Sequence, residues 1–410
     1  MISGVTDHLA QADRADDERL EPDDLHLEPG VPAPFEFTPA TSWSPLVISF
    51  PHVGLEWPAD EPRPRPAVNF ARNADLEVDR LYPDASALGA ATVRARYSRL
   101  LIDLNRADDD VSAALVPDHP APQPRQPPWA SVPGGSRSPG IQNRGLIWRT
   151  AVGNISILSG SLPYAELLHR LRRYYDPYHR ALEVLLARRR ARFGYAVLLE
   201  AHSMPGSIPG DLVLGTFEGG ACSPELEARA LAALSAPGPL GVPLAVRLND
   251  PYRGGELVRK FGRPEHNIHA LQLEVNRALY LDEVNLVLRP EIPGSASAGT
   301  AAATVSSDLT AGLNSDFTSD FTSEFTSRPA EIRSTGEQRF RRAGAVAAPA
   351  PLDLLHRVKS LVTALAAVGP RSAAPATANT GQPATSPPLI TPAPTAAHFG
   401  EPLCDRRRRG

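Results

Sequence analysis

Residues 163–203 read PYAELLHRLRRYYDPYHRALEVLLARRRARFGYAVLLEAHS, and their order of patterns decides the fold class. Leu167, Leu168, Leu171, Tyr174 and Tyr175 recur at helical spacing, Pro177 predicts a kink, and Ala181, Val184 and Leu185 resume the same face. Gly194 stands where a helix C-cap is expected. Tyr195-Ala-Val-Leu-Leu199 follows as a continuous apolar run, the pattern of a strand buried on both faces, and it ends in the polar cluster Glu200-Ala-His-Ser203. A long helix, a buried strand and then polar residues is the rhythm of an α/β protein whose sites gather at the carboxyl ends of its strands.

Working outward, the same signature recurs. Pro45-Leu-Val-Ile-Ser-Phe50 is a buried-strand run closed by Pro51, which leaves His52 at the start of a loop. Residues 91–102 (ATVRARYSRLLI) hold a strand leading into Asp103-Leu-Asn-Arg106. Further strands are expected at Leu244 to Leu248 and at His269 to Val275. The expected architecture is a mostly parallel or mixed central sheet flanked by helices.

The remainder of the chain frames that core. Of 410 residues, 43 are Pro and 30 Gly, unevenly spread, which predicts one core with unpacked flanks rather than two domains. Residues 1–42 read as a polar, disordered leader and 43–290 as the catalytic domain. Within the latter, the Pro-rich stretch 108–143 is a long surface loop or lid. Residues 291–350, with the near repeat Ser315-Asp-Phe-Thr-Ser-Asp-Phe-Thr-Ser-Glu-Phe-Thr-Ser327, read as a disordered insertion. An amphipathic helix at 351–368 is expected to dock on the core, and 369–410 to form a tail. Deleting residues 1–40 or 371–410 is accordingly expected to leave folding unchanged.

Composition narrows the function. A net charge of −4 gives no electrostatic reason to expect nucleic acid or a membrane surface as partner. There is no apolar run long enough to span a bilayer and no signal-peptide pattern. With Cys222 and Cys404 as the only cysteines, a disulfide framework is not expected, which together suggests a cytoplasmic protein. Lys260 and Lys359 are the only lysines among 42 basic residues. That bias, with abundant Ala and Pro, suggests a GC-rich bacterial source.

The chemistry-bearing residues follow strands. His52 and His202 at two strand ends, an acidic residue between them and Glu274 at a third strand end suit a catalytic zinc, which commonly takes two imidazoles and one carboxylate and keeps a position for water. The residues alone leave the carboxylate ligand open among Glu56, Asp75 and Asp79. Asp75 and Asp79, at i and i+4, would share one helical face, one reaching the metal and the other supporting it. His179, the neighbouring tyrosines and His269 are expected to be packing residues. Gly254-Gly255 after Arg253 fits either a tight turn or a close backbone approach to an anion.

PLVISFPHVGLEWP, RYSRLLIDLNR, YYDPYHRAL, LLEAHS, DLVLGT with Gly-Gly-Ala-Cys222, YRGGELVRKFG and HALQLEVNRALYLDE occur in that order. The set resembles the successive blocks of the N-formylglutamate amidohydrolase family, itself similar to zinc carboxypeptidases and aspartoacylase-like deacylases. The resemblance implies a zinc-carboxypeptidase-like α/β fold, a zinc ion or another divalent metal, and removal of the N-formyl group from glutamate or a similar acidic amino acid, as in histidine breakdown. An amidohydrolase for other N-acyl amino acids or small peptides, or a non-catalytic binding protein on the same scaffold, remain the alternatives. In chain order it assigns His52 and His202 to the metal, Asp75 of an Asp-rich block as the carboxylate ligand with Glu56 or Asp79 as alternatives, and Glu274 to proton transfer. Arg99 is assigned to the oxyanion or a second carboxylate, and Asn105, Arg106 and Arg253 to the small-molecule substrate.

Overall fold

The structure, a computed structural model, describes residues 18–28, 30–124, 144–293 and 350–367. Its strands and helices in chain order are β1 (Phe35–Thr38), β2 (Leu46–Phe50), β3 (Ala91–Ala95), α1 (Tyr164–Arg170), a π-turn (Leu171–Tyr175), α2 (Asp176–Phe193), β4 (Ala196–Met204), β5 (Leu212–Gly215), α3 (Pro224–Ser235), β6 (Val246–Leu248), α4 (Glu256–Phe261), β7 (Ile268–Asn276) and α5 (Ala350–Ala366). Seven strands form one mixed sheet in the order β1-β3-β2-β4-β7-β5-β6. The central strands β3, β2, β4 and β7 are parallel, and β1 and β5 join antiparallel.

The uninterrupted apolar runs are explained by cover on both faces. Val47, Ala196, Leu198 and Ala270 face one core together with Tyr178, Leu182 and Leu185 of α2. Leu46, Ile48, Val197, Leu199, Leu271 and Leu273 face the other, under α3 and α5. Alternate residues of a strand point to opposite faces, so a strand buried on both must be apolar throughout.

Two features depart from the sequence reading, the turn at Pro177 and the inward packing of 108–124. The kink expected at Pro177 is replaced by the π-turn immediately before it. Pro177 has no N–H to return to the preceding turn, and the helix widens there rather than breaking. The helix expected at 351–368 lies against α3, held by Leu354, Leu361 and Leu365 and by Asp353, whose carboxylate accepts from the Leu240 and Val242 amides at 2.8 Å each. Of the stretch read as a Pro-rich surface loop, 108–124 packs inward through Val111, Leu115 and Val116. Residues 125–143, and 294–349 of the expected insertion, lie outside the described residues, as do 1–17 and 368–410.

The leader is the clearest correction, because its second half is part of the fold. Phe35–Thr38 pairs with β3 in register Phe35↔Ala95, and Leu25 is buried. Glu18 forms a buried ion pair with Arg189 of α2, and Asp24 takes Arg188 at 2.8 Å. The acidic leader complements the arginine-rich flank of α2, a contact that hydrophobic periodicity does not register. Deletion to residue 40 is therefore expected to destabilise, against the expectation from sequence. Glu18→Ala alone, which leaves Arg189 buried without its carboxylate, is expected to cost about 3 kcal/mol in denaturant unfolding. A change under about 1 kcal/mol would show the pair to be solvated.

No helix among the described residues is long and apolar enough to cross a membrane.

Candidate active site

The two central strands change character along one face. Ala196 and Leu198 of β4 are followed on that face by Glu200 and His202, and Ala270 of β7 by Gln272 and Glu274. The parallel register sets Glu200 beside Gln272 and His202 beside Glu274. β2 ends two residues before His52, so three neighbouring strands deliver polar groups to one carboxyl edge.

His52, Asp75 and His202 converge there, each nearly excluded from solvent and each offering one ligand atom, all within 4.8 Å of one another. Asp75 is fixed by its own amide, which donates to the His52 carbonyl at 2.9 Å. Its Oδ2 lies 2.8 Å from His202 Nδ1 and 3.4 Å from His52 Nδ1. Each imidazole turns its other nitrogen to a fully buried carboxylate: His52 Nε2 to Asp103 at 2.7 Å, and His202 Nε2 to Glu200 at 3.0 Å. Metal-ligating histidines are commonly oriented in this way by an outer carboxylate. His52 Nδ1 is buried, makes no hydrogen bond and points into the cluster. Burial opposes the ionised form of Asp75, yet the hydrogen bond from His202 and the charge of the two neighbouring imidazoles hold its carboxyl well below the usual range. Burial opposes charge on His202 too, but Glu200 and Asp75 keep it well above the usual imidazole range. The carboxylates thus favour positive charge at His202. A divalent cation answers the same demand, and the two-imidazole, one-carboxylate donor set fits zinc.

Neither alternative to Asp75 joins this cluster. Glu56, half exposed, pairs with Arg96 at 3.1 Å, and Asp79 with Arg94 at 2.8 Å. Asp75 and Asp79 share no helical face, since residues 71–73 and 78–81 form separate 3₁₀ turns and Glu77 between them is left-handed.

The segment 103–106 packs against the cluster. Asp103 accepts from His52 Nε2, from the Asn105 amide at 3.0 Å, from Trp148 Nε1 at 3.1 Å and from Arg99 through Nε and Nη2 at 3.2 and 2.7 Å. Arg99 lies over the Trp148 ring, 4.6 Å from its centroid. Expected to face the substrate, it is instead locked on Asp103, because a planar fork beside a buried carboxylate is better satisfied there. Asn105 accepts from the Leu257 amide at 2.9 Å and sets its Nδ2 3.1 Å from His202 Nε2. A Cβ at residue 255 would meet that amide at 2.3 Å, so Gly255 is required by the approach of Asn105. The Gly255 N–H donates to Gln272 at 2.9 Å rather than to an anion. Arg106 is half-buried and adds its charge to the field on Asp103. Arg253 is turned to Glu218 at 3.0 Å and to the face of Phe217.

Glu274 accepts from Gln272 at 2.8 Å. Burial pushes its carboxyl up to about 7; Asp75 and Glu200 add to the rise, while His202 and Arg277 oppose it. Arg277 donates to Ser203 Oγ at 3.0 Å and lies 3.6 Å from Asp75. Gln272, Trp148 and Arg277 were not singled out from sequence, and Glu200 and Ser203 entered only as members of the strand-end polar cluster, with no role. The spacing of Glu200 to His202 and of Gln272 to Glu274, two apart within apolar runs, was the available signal for Glu200 and Gln272.

A buried imidazole–carboxylate cluster beside a carboxyl raised toward neutrality, at the carboxyl edge of a mixed α/β sheet, is an arrangement suited to a hydrolase. Residues 44–281 match the family model for N-formylglutamate amidohydrolase. N-formylglutamate deformylase of Pseudomonas aeruginosa is 33% identical over 248 residues, 58% of this chain and 83% of that protein. N-formylglutamate deformylase of Pseudomonas putida is 35% identical over 252 residues, 58% and 82% respectively. The crystal structure of N-formylglutamate amidohydrolase from Ralstonia eutropha JMP134 superposes with a TM-score of 0.54 at 31% identity, covering 63% of this chain and 91% of that one. The chain belongs to the N-formylglutamate amidohydrolase family.

Proposed function

We propose that this protein hydrolyses the N-formyl amide of N-formylglutamate, releasing formate and glutamate, with a zinc or similar divalent cation held by His52, Asp75 and His202. The observation that carries the reading is the convergence of both histidine Nδ1 atoms on Asp75, with Glu274 on the strand position adjacent to His202. The names of the relatives at 33% and 35% identity support the same substrate. When bound, the cation supplies Lewis acidity, drawing electron density from the amide carbonyl and acidifying water.

The chain's own groups do the rest. Glu274, poised near neutrality, takes a proton from the attacking water and returns it to the amine as the C–N bond breaks. Asp103 and Glu200 hold the two imidazoles, and Arg99 acts through Asp103. Arg106 holds a substrate carboxylate with its planar fork. On this reading the protein works in the cytoplasm of a bacterium, in histidine breakdown.

Amine release from N-formyl, N-acetyl and N-succinyl derivatives of glutamate and aspartate tests the proposal. N-formylglutamate is expected to be turned over fastest, preference for another acyl group would reassign the substrate, and no release from any would end the reading. Arg106→Lys keeps the charge but loses the two-pronged geometry. It is expected to lower kcat/KM on N-formylglutamate by roughly thirtyfold, while metal content stays at the wild-type level. The mono-amide that lacks the clasped carboxylate should be little affected.

A further inference from the structure

The motif Tyr174-Tyr-Asp-Pro-Tyr-His179 lies at the junction of the π-turn and α2. Tyr175 and His179, four residues apart, present stacked rings with centroids 3.9 Å apart and planes 21° from parallel. Tyr175 Oη donates to the Arg106 carbonyl at 2.7 Å, and His179 Nε2 contacts the Leu104 carbonyl at 2.9 Å. Those two carbonyls flank Asn105. Lys260 Nζ lies 3.0 Å from His179 Nδ1. An ammonium can only donate, so Nδ1 accepts and the ring proton sits on Nε2, aimed at Leu104. His179 is almost fully buried. Burial first and then the charge of Lys260 hold its pKa well below the usual imidazole value, so the ring stays neutral. Lys260 is on α4, the helix whose Leu257 amide grips the Asn105 side chain from the other side.

We propose that Tyr175, His179 and Lys260 are positioning residues that clamp the 104–106 backbone and so aim Arg106 at the substrate carboxylate and Asn105 at His202. The π-turn bears on this because such turns inside α-helices are frequent at functional sites. Here the turn ends on Tyr175, whose ring meets the loop. Packing alone would be served by any ring of this size; the paired donors on the Leu104 and Arg106 carbonyls, either side of Asn105, serve orientation.

The inference rests on Arg106 as the carboxylate clasp, and its test separates the two claims. Tyr175→Phe keeps the ring and its stack and removes one donor. It is expected to raise KM for N-formylglutamate by roughly three- to tenfold with kcat within about twofold. The mono-amide substrate that escapes Arg106→Lys should show no such rise, and metal content and melting midpoint should stay near wild type. His179→Gln, which retains a donor, is expected to be milder than His179→Ala on the same carboxylate-to-amide ratio. Discrimination in Arg106→Lys with none in Tyr175→Phe overturns the clamp alone. Equal penalties on both substrates in Arg106→Lys overturn the clasp, and the clamp's role in aiming it falls too.

Discussion

His202→Ala is expected to yield protein without bound metal and with kcat/KM down by roughly a thousandfold or more. The substitution removes one of three converging ligand atoms, and two protein ligands hold a divalent ion too weakly to survive purification. It also strips Glu200 and Asp75 of their shared imidazole inside the protein, so a lower melting midpoint should accompany the loss. Elemental analysis reads the first effect. Chelation of the wild-type protein should mimic the activity loss, and added zinc should restore the wild type but not the variant. Full metal occupancy in His202→Ala would sink the assignment of the cluster, as would wild-type activity that survives complete chelation.

Glu274→Gln is expected to separate chemistry from binding. Amide for carboxylate preserves shape and deletes only the proton acceptor, so kcat should fall by about a hundredfold to ten-thousandfold with metal content and KM near wild type. The pH profile gives a second signature. The carboxyl is raised to about 7, chiefly by burial, and only its ionised form can accept a proton from water. Wild-type activity should therefore rise as pH climbs through that region and fall below it, and the glutamine variant should lack this limb. A variant that retains more than about a tenth of wild-type turnover would remove Glu274 from the proton path.

The parts of the fold most legible in the sequence are those where burial on both faces leaves an unbroken apolar run, namely β2, β4 and β7, together with the amphipathic stretches that become α1, α2 and α5; β3 and β6 were also placed, within wider limits than they occupy. β1 was not legible. Phe35-Glu-Phe-Thr38 alternates, has four residues and sits in an acidic segment whose attachment comes from ion pairs with Arg188 and Arg189. Strand ends made His52, His202 and Glu274 conspicuous. Choosing Asp75 over Asp79 or Glu56 needs the fold of the segment that bears them, and only the structure shows two of the three acids spent on arginines. Arg99 shows the limit most plainly. Its spacing from Asp103 was visible, but whether the guanidinium faces a substrate or that carboxylate depends on Trp148, brought from the far side of the Pro-rich stretch. Glu200 was visible in the polar cluster after Leu199, but nothing in the run marks it as the partner of His202 Nε2.

Strand order also bears on how the protein comes into being on the ribosome. β7 is inserted between β4 and β5, both made earlier in the chain. A nascent polypeptide that ends before Ile268 therefore presents two open strand edges with no common neighbour. Such edges invite pairing with another chain, and the contacts that close them span many residues, which slows folding. His202 acquires Glu274 as its neighbour in the same event that seals those edges. Catalytic competence and protection from aggregation thus arrive together, late in synthesis, so truncated products should be insoluble rather than partly active.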